Sequence, residues 1–562
     1  MPSTFTNSHT NTLDDLETTR FLLQKTSLAM TRGTVQRNRG DTPYSASATP
    51  IQTAPSSPRL APRAQTLSVP GVTTSRISPN GAIVQTASKL VIVMVGLPAR
   101  GKSYIVKKLA RYFNWSGHNC RIFNCGDRRR QHVNNSVQDA DFFDSKNVEA
   151  QTVREQLAMQ TLESLIKWVV TENGTVGILD ATNSTRKRRM AIMQRIHQEE
   201  DLKVLFVESI CTDTELLEAN MRLKLQGPDY KGRDPVEALN DFKNRVKNYE
   251  AAYETIGAME EANDESFVQI INVGKKLVTH NIEGFLAGQA VFFLLNLNLA
   301  ERLIFITRHG ESEDNVQGYL GGNAPLTARG AKYAAALTRL IEQERAKFRR
   351  HQLDQWQFHP RTIPAPDDHW VANPQPRDGY YSDATPPLEK PFSVWTSSLT
   401  RSKQTAINFD DQFYDVKEFK IMDEIDSGIC EGLTYEMIEK QLPQEYEARR
   451  KNKLYYRYPG GESYLDVVHR LSPVVVEVER AKHHILIISH RVISRILLSY
   501  FLNLTQEQAT NLEIPLEVCY CIVPRSYGAD LCKYSWDEPS NTFVEEVITG
   551  GLQSVHFTGI RT

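Results

Sequence analysis

The stretch LVIVMVGLPARGKS, residues 90–103, decides the fold of the first half of the chain. Its first six residues are apolar and mostly β-branched, which is typical of a parallel strand buried on both faces. The next eight residues match the pattern GxxxxGK(S/T), and a helical run from Tyr104 to Phe113 follows them. A glycine-rich turn between a buried strand and a helix lets backbone N–H groups surround phosphate oxygens. We therefore predict a nucleotide-binding loop at residues 96–103.

Side chains of this loop, and one at the end of a second apolar run, have predictable roles. Gly96 and Gly101 permit the tight turn, and Lys102 would hold the β- and γ-phosphates of ATP. Ser103 would bind Mg²⁺ through its hydroxyl. Asp180 ends the run TVGILD. A carboxylate at the carboxyl end of a central strand lies where parallel sheets bind ligands, so Asp180 would bind Mg²⁺ or accept the substrate proton.

Strand-like and helix-like stretches alternate along the chain. The first series of apolar runs comprises residues 90–95, 175–180, 203–209 and 267–273, with helical patterns at 148–170 and 235–253 between them. The second series comprises residues 302–310, 392–398 and 484–490. This alternation predicts two α/β domains. The first should have the parallel sheet of P-loop nucleotide-binding proteins.

Composition limits the class of protein. With 562 residues the chain is long enough for two or three domains. Its formal net charge of -1 argues against binding of a polyanion by the whole chain. Seven cysteines without a CxxC pair argue against a disulfide scaffold or a structural zinc site and fit a reducing compartment. Neither a membrane-spanning run nor a secretory signal is visible, so we expect a cytoplasmic protein that contacts no membrane.

Composition also predicts the domain limits. Residues 1–88 are rich in Ser, Thr, Pro and Arg, and we expect them to form a disordered arm. The two α/β domains are expected at 89–299 and 300–540, followed by a tail at 541–562. A Pro-rich stretch at about 350–391 is expected to be a mostly unstructured insert in the second domain. Three of the Ser and Thr residues that precede prolines in the arm are candidate targets of protein kinases: Thr42, Ser57 and Ser78.

A basic cluster at 186–189 predicts an anionic acceptor beside the nucleotide. With GLPARGKS, four further motifs resemble the kinase half of the 6-phosphofructo-2-kinase/fructose-2,6-bisphosphatase family: FNCGDRRR (123–130), ILDATNSTRKRR (178–189), ESICTD (208–213) and GPDYKG (227–232). The resemblance extends over residues 89–297. It implies MgATP as the phosphoryl donor and fructose 6-phosphate as the acceptor.

The same resemblance implies roles for individual residues of the first domain. Asp180 takes the place of the family's catalytic aspartate, Lys224 would lie near the phosphates, and Val273 would lie near the nucleotide. Five residues would bind the sugar phosphate: Arg129, Thr182, Arg188, Arg245 and Tyr249. Two features depart from the family pattern, namely Asp127-Arg128 and a segment at 221–230 that is one residue shorter than usual. The shorter segment leaves the register of Lys224 open.

Arg308-His309-Gly310-Glu311 follows the apolar run LIFIT and resembles the RHG signature of the histidine phosphatase (phosphoglycerate mutase-like) superfamily. In that chemistry a histidine attacks phosphorus, arginines neutralise the phosphoryl oxygens, and an acid protonates the leaving alcohol. We assign His309 as the nucleophile, with Arg308 and Arg401 as phosphate ligands. Glu424 is assigned as the general acid, and His490, which ends the run HILIISH, completes the catalytic set.

Longer motifs of the second domain extend the family resemblance. TRHGESEDN, EIDSGICEGLTYEMI and YRYPGGESYLDVVHRL resemble the bisphosphatase half of the family, from about residue 300 to 530. The resemblance implies that Asn315 binds the transferring phosphate. Five residues would hold the sugar and its other phosphate: Tyr435, Arg449, Lys453, Tyr464 and Arg495. Arg491 stands where the vertebrate-type pattern has Gln, and it adds a positive charge beside the expected pocket.

Three functions remain open from the sequence. The first is bifunctional control of fructose 2,6-bisphosphate, which one domain makes and the other hydrolyses. The second is mainly a fructose-2,6-bisphosphatase with an impaired, ATP-sensing kinase domain, which the two departures favour. The third is a nucleic-acid end-processing enzyme or RNA-binding regulator, suggested by the basic runs 128–130 and 186–189. No RNA-binding motif supports the third, so we expect no nucleic-acid partner. Because the family commonly dimerises, we expect a homodimer.

Overall fold

The computed structural model describes residues 89–547 together with 76–77 and 83–84, except for the following gaps: 133–139, 145, 226, 228, 231, 359–385 and 526–527. The three candidate phosphorylation sites and most of the expected arm and insert therefore lie outside the described residues. Within the expected arm, Arg76–Ile77 and Ile83–Val84 pair as two short antiparallel strands. These four residues include β-branched residues suited to a ladder, and the expected disorder of the arm stays a prediction.

The first sheet is built from six strands: Lys89–Val95 (β1), Cys120–Asn124 (β2), Val176–Asp180 (β3), Leu202–Ile210 (β4), Phe267–Ile271 (β5) and Lys276–His280 (β6). Their order across the sheet is β2-β3-β1-β4-β5-β6. The first five strands in that order run parallel, as predicted for the sheet, although β2 is not among the predicted apolar runs. β6 departs from the parallel expectation because a tight turn, with Gly274 at a φ of 82°, returns the chain antiparallel to β5.

Helices cover both faces of this sheet: Lys102–Trp115 (α1), Cys125–His132 (α2), Val148–Thr171 (α3), Arg186–Ile196 (α4), Thr214–Leu225 (α5), Pro235–Glu250 (α6), Ala258–Ala262 (α7) and Phe285–Leu295 (α8). Leu90 and Ile92 belong to the core cluster that contains the apolar residues of α1 and α8. Val91 and Val93 belong to the cluster that contains those of α3 and α4. Burial on both faces explains the continuous apolar run of β1.

The second sheet has seven strands: Ile304–Arg308 (β7), Phe392–Thr396 (β8), Asp415–Glu418 (β9), His484–Ser489 (β10), Val518–Arg525 (β11), Gly528–Asp537 (β12) and Thr542–Val547 (β13). Their order is β9-β8-β10-β7-β11-β12-β13. The first four in that order are parallel, and the last three continue the sheet antiparallel. The α/β class predicted for both domains is confirmed.

The helices of the second domain are Glu313–Gln317 (α9), Ala328–Phe358 (α10), Thr400–Thr405 (α11), Tyr435–Gln441 (α12), Pro443–Lys451 (α13), Tyr464–Arg480 (α14), Arg491–Leu502 (α15) and Gln506–Asn511 (α16). Two of these elements lie at the expected domain limits, which stay predictions. α10 continues to Phe358, beyond the expected start of the insert at about 350. β13 lies in the expected tail, because its backbone pairs with β12. No helix in the described part of the chain is both long and apolar enough to cross a bilayer.

The two domains share a buried contact around Glu479 of α14. Its carboxylate accepts hydrogen bonds from Lys108 Nζ at 2.7 Å and Arg111 Nη2 at 2.8 Å, both on α1 of the first domain. Tyr500 of α15 donates to the same carboxylate at 2.6 Å. Trp115, at the end of α1, donates from its indole N–H to a backbone carbonyl of α15. Polar groups that leave water need such partners, and the Glu479 carboxylate has three of them, whereas Arg111 Nε has none among the described residues.

Candidate active sites

The loop at residues 96–103 has the backbone that the motif predicts. Gly96 has a φ of 132°, and a Cβ on it would lie 2.6 Å from the carbonyl oxygen of Ser209 on β4. Gly101 has a φ of 85° and directly precedes α1. Only glycine adopts these conformations without strain. The loop therefore directs the N-terminus of α1 toward the carboxyl edge of the sheet, which is a favourable place for phosphate.

Lys102 is folded onto its own loop. Its ammonium donates to the carbonyl oxygens of Gly96 at 2.7 Å and Leu97 at 2.6 Å. Burial lowers the pKa of Lys102 to about 7, although the nearby carboxylate of Asp180 raises it. An anionic ligand would reverse the effect of burial, because it favours the charged form of the lysine.

Asp180 lies at the end of β3, beside Asn124 at the end of β2. The two residues are register partners, and Asn124 Nδ2 donates to Asp180 Oδ2 at 2.7 Å. Burial raises the pKa of Asp180, and the positive charges of Lys102 and Lys224 oppose that rise. Asn124 carries no motif signal of its own, although it stands in the quoted run FNCGDRRR.

One cavity of about 550 Å³ gathers the predicted residues of the first domain. Those that line it are Gly101, Lys102, Ser103, Arg129, Asp180, Thr182, Arg188, Lys224, Arg245, Tyr249 and Val273. Gly96 does not line the cavity; its N–H donates to the carbonyl of Thr182 at 2.9 Å and so ties the loop to the end of β3. The sequence prediction of one combined site is consistent with this placement.

Two acidic residues that the sequence analysis missed hold the arginines of this cavity. Asp229 Oδ2 accepts from Arg129 Nη2 at 2.8 Å and from Arg245 Nη1 at 3.0 Å. Glu155 on α3 pairs with Arg188 through two hydrogen bonds of 2.9 and 2.5 Å. Asp229 stands in the quoted motif GPDYKG, whereas Glu155 lies in no motif.

The residues that depart from the family pattern point away from the cavity. Arg128 donates to Ser164 Oγ on α3 at 2.7 Å, and Asp127 pairs with Arg130 on the protein surface. Neither Asp127 nor Arg128 lines the cavity, whereas Lys224 does. Lys224 therefore lies in the same cavity as Asp180, and its role near the phosphates stays a prediction.

His309 has a defined tautomer in the second domain. Arg401 Nε, which is always a donor, lies 3.1 Å from His309 Nε2, so Nε2 must carry the lone pair. His309 Nδ1 lies 2.7 Å from the carbonyl oxygen of Gly310, so Nδ1 must carry the proton. Burial, with the charges of Arg401 and Arg308, lowers the pKa of His309 well below 6.5. The ring is therefore neutral, with Nε2 available as a nucleophile.

His490 lies beside His309 because β7 and β10 are parallel neighbours whose register pairs Arg308 with Ser489. The two imidazole centroids are 5.1 Å apart. His490 Nε2 lies 2.7 Å from Ser397 Oγ, at the end of the adjacent strand β8. Sequence reasoning missed Ser397, although it stands directly after that apolar strand. Three strand ends thus converge on one point of the sheet edge.

Glu424 lies at the N-terminus of α15. Its carboxylate accepts backbone N–H groups of Arg491 at 3.0 Å and Val492 at 3.2 Å. These bonds hold the carboxyl group at the sheet edge next to the histidines. A cavity of about 290 Å³ collects it with the other predicted residues of this domain, namely Arg308, His309, Asn315, Arg401, Tyr435, Arg449, Lys453, Tyr464 and Arg495, together with Arg491. His490 is fully buried behind the cavity wall.

The end of α16 and the residues that follow it, 510–514, hold three cations of this second cavity. The carbonyl oxygens of Thr510, Leu512 and Ile514 accept from Lys453, Arg495 and Arg308, respectively. Burial is the main reason that the pKa of Arg308 falls to about 10. No motif marks this segment, since its contribution comes from the backbone.

Comparisons with known proteins match these two sites to two families. The model of the family described as 6-phosphofructo-2-kinase matches residues 80–301, and that of the histidine phosphatase superfamily (branch 1) matches residues 387–536. A Schizosaccharomyces pombe protein named "Probable 6-phosphofructo-2-kinase" is 48% identical over 518 residues, which cover 87% of this chain and 77% of the relative. Saccharomyces cerevisiae 6-phosphofructo-2-kinase 1 is 44% identical over 490 residues, covering 86% of this chain and 56% of the relative.

A human relative carries both activities in its name. It is 6-phosphofructo-2-kinase/fructose-2,6-bisphosphatase 3, which is 37% identical over 444 residues, covering 79% of this chain and 76% of the relative. The matches to these relatives extend across both α/β domains, and the two sets of side chains lie in the two cavities described above. On these findings the chain belongs to the 6-phosphofructo-2-kinase/fructose-2,6-bisphosphatase family.

Proposed function

We propose that the chain is a bifunctional enzyme that controls the level of fructose 2,6-bisphosphate. Residues 89–299 would phosphorylate fructose 6-phosphate at O2 with ATP, and the domain from residue 300 would hydrolyse the 2-phosphate. The observation that supports this most directly is the presence of two separate cavities, each lined by phosphate-binding cations and each adjoining a group able to move a proton or attack phosphorus. The product of one cavity is the substrate of the other.

In the kinase reaction, the loop and Lys102 bind the β- and γ-phosphates, and the arginines bind the sugar phosphate. Asp180 then accepts the proton of the attacking O2 hydroxyl, for which its raised pKa suits it. Catalysis is mostly positioning and charge neutralisation, since phosphoryl transfer needs little covalent help from the protein.

The same cavity fits Mg²⁺. Asp180 offers one buried carboxylate, and Ser103 offers a hydroxyl at the start of α1. Among the described residues, no group of three or more Asp, Glu, His or Cys side chains has an arrangement that could hold a metal ion by itself. A single carboxylate with phosphate oxygens is the usual protein contribution to a nucleotide-bound Mg²⁺, which neutralises charge on the phosphates.

In the phosphatase reaction, His309 Nε2 attacks the 2-phosphorus and forms a phosphohistidine. Arg308 and Arg401 neutralise the phosphoryl oxygens, and Glu424 protonates O2 of the leaving fructose 6-phosphate. Water then hydrolyses the phosphohistidine. The hydrogen bond from Nδ1 to Gly310 holds the ring in the tautomer that this attack requires.

The alternative, a bisphosphatase with an impaired kinase, receives no support from the geometry. Its two motivations were Asp127-Arg128, which point away from the cavity, and the uncertain register of Lys224, which lines it. The bifunctional enzyme is therefore the function that the sites support best.

A two-direction assay tests the proposal. Lys102→Met should abolish formation of fructose 2,6-bisphosphate and leave its hydrolysis intact, because the cavities are separate. His309→Ala should abolish hydrolysis and the labelled phosphoenzyme formed from 2-labelled bisphosphate, and should leave the kinase reaction intact. A His309→Ala variant that makes no fructose 2,6-bisphosphate from ATP and fructose 6-phosphate would refute the kinase assignment. A labelled phosphoenzyme that persists in that variant would refute the nucleophile.

The proposal also covers the location, the oligomeric state and the phosphorylation of the enzyme. A cytoplasmic homodimer is supported by the absence of a spanning helix among the described residues and by two exposed apolar side chains on α8, Phe292 and Leu295. Light scattering on the purified full chain measures the oligomeric state. Protein kinases acting on the arm are supported by its Ser/Thr-Pro sites alone, and phosphosite mapping by mass spectrometry tests them.

A further inference from the structure

Asp229 is the centre of a guanidinium cluster in the first cavity. Besides Arg129 and Arg245, which it bonds through Oδ2, it accepts from Arg130 Nη1 through Oδ1 at 3.0 Å. The arginines come from two helices, α2 and α6, and Asp229 comes from the segment that precedes α6. Although burial alone would raise it, the charges of Arg129 and Arg245 hold the pKa of Asp229 well below its usual range. The carboxylate is therefore ionised throughout the physiological range.

An aromatic ring holds the same two arginines from another side. The ring of Phe143 is buried, and its centroid lies 3.8 Å from Arg245 Cζ and 5.0 Å from Arg129 Cζ. Cations above an aromatic face are attracted by the ring quadrupole. Each guanidinium is thus fixed by an ion pair and by a ring, and neither can turn without losing both.

Two N–H donors of these arginines still have no hydrogen-bond acceptor among the described residues. Arg129 Nε and Arg245 Nε are buried and have no hydrogen-bond partner in the described part of the chain. Buried donors without a partner are costly, and an anionic oxygen is the group that satisfies guanidinium donors best. The guanidinium groups of Arg129 and Arg245 are therefore held in place before an anion binds to them.

We propose that Asp229 is a positioning residue that sets the affinity of the kinase cavity for fructose 6-phosphate. The inference rests on the proposed function and adds a residue to it. Arginine side chains have much rotamer freedom, and a ligand that must order two of them binds more weakly. Asp229 and Phe143 order Arg129 and Arg245 when the protein folds, so the sugar phosphate meets a prepared pair.

Asp229 also has an effect on phosphate binding that opposes the first one. A negative charge beside two arginines also weakens their attraction for phosphate. If charge alone mattered, removal of the carboxylate would tighten binding. If position matters more, removal weakens binding. The direction of the change in KM for fructose 6-phosphate separates the two.

The test measures kinase kinetics of Asp229→Asn in the full chain with the His309→Ala background, which prevents hydrolysis of the product. We expect the KM for fructose 6-phosphate to rise by about tenfold, while kcat and the KM for ATP stay within about twofold. Asp229→Glu, which keeps the charge on a longer side chain, should give an intermediate KM. Asp229→Glu also allows the KM to be measured if the Asn variant does not fold.

A matched control is Asp127→Asn. Asp127 pairs with Arg130 of the same cluster but is 65% exposed and lies outside the cavity, so its loss should change each constant by about twofold at most. An unchanged or lower KM for fructose 6-phosphate in Asp229→Asn would overturn the proposal, as would a change confined to kcat or to ATP. Failure of the proposed function would look different, because the His309→Ala parent itself would then form no bisphosphate.

Discussion

Removal of the charge of Glu479 should open the contact between the two domains. In Glu479→Gln the side chain keeps its size, but Lys108 and Arg111, whose side chains are 6% and 9% exposed, lose the carboxylate they pair with in the described part of the chain. Removing one partner of a buried ion pair costs about 3–5 kcal/mol, because the other charges stay buried without compensation. At about 1.4 kcal/mol per tenfold, a loss of about 3 kcal/mol makes local opening about 150 times more frequent.

Hydrogen exchange followed by mass spectrometry measures this opening segment by segment. Peptides from α1 and α14 of Glu479→Gln should exchange about 100-fold faster than those of the wild type, while the strands of both sheets change little. Glu477→Gln is the control, since Glu477 lies on the same helix and forms an exposed pair with Arg480. Such pairs contribute about 0.5 kcal/mol, so exchange should change by about threefold at most. Equal exchange in the two variants would refute the role of the buried carboxylate.

Acid should weaken the same contact in the wild type. The charges of Lys108 and Arg111 lower the pKa of Glu479 to about 2 from its usual 4.5, against the opposing effect of burial. A carboxyl group whose pKa is lower in the folded state stabilises the fold above the unfolded value and loses that contribution as pH falls through the folded value. The contribution should therefore be complete above pH 4.5 and disappear toward pH 2. Acid unfolding of Glu479→Gln should lack this part of the pH dependence; an identical acid titration would contradict the assignment.

Three further predictions concern the sites themselves. Since burial holds the pKa of Lys102 at about 7, binding of MgATP at pH 8 should take up about one proton as the phosphates restore the charge. Calorimetry in buffers of different ionisation enthalpy measures this proton uptake. Lys102→Arg should take up no proton. A binding enthalpy of the wild type that does not depend on the buffer would contradict the prediction. Ser397→Ala removes the 2.7 Å contact to His490 and should lower phosphatase kcat about tenfold with the kinase unaffected; an unchanged kcat would show that the contact is dispensable. Gly96→Ala places a Cβ 2.6 Å from the carbonyl of Ser209, so kinase activity should vanish and phosphate release should remain; a fully active kinase would contradict the close approach.

The positions of the two sites could be predicted because their residues follow apolar strands. Asp180, His309 and His490 each stand at or directly after such a run, and parallel strands place their carboxyl ends at one edge of the sheet. The antiparallel strand β6 was also signalled in principle, since Asn272 and Gly274 form a turn of the kind that joins hairpins. No strand is predicted at 276–280, because the last apolar run of the first series ends at residue 273.

The groups that hold the buried cations could not be predicted from the sequence. Asp229 is 100 residues from its partner Arg129, and Glu479 is 371 residues from Lys108. A single acidic residue has no periodicity or spacing that could point to a partner so far along the chain. The carbonyls of 510–514 carry even less signal, because every residue type has one. Only the tertiary fold decides which charges are buried together.

The two cavities hold their cations in different ways, and the difference matches the charge of the ligand proposed for each. In the kinase cavity, Asp229 and Glu155 offset part of the positive charge of the arginines they orient. In the phosphatase cavity, backbone carbonyls at 510–514 hold Arg308, Lys453 and Arg495 without adding a negative charge. Burial, with the charges of Arg495 and other arginines, lowers the pKa of Lys453 to about 7. One phosphate carries about two negative charges and a bisphosphate about four. Cations that are held by neutral carbonyls therefore suit the bisphosphate, which restores the charge of Lys453 when it binds.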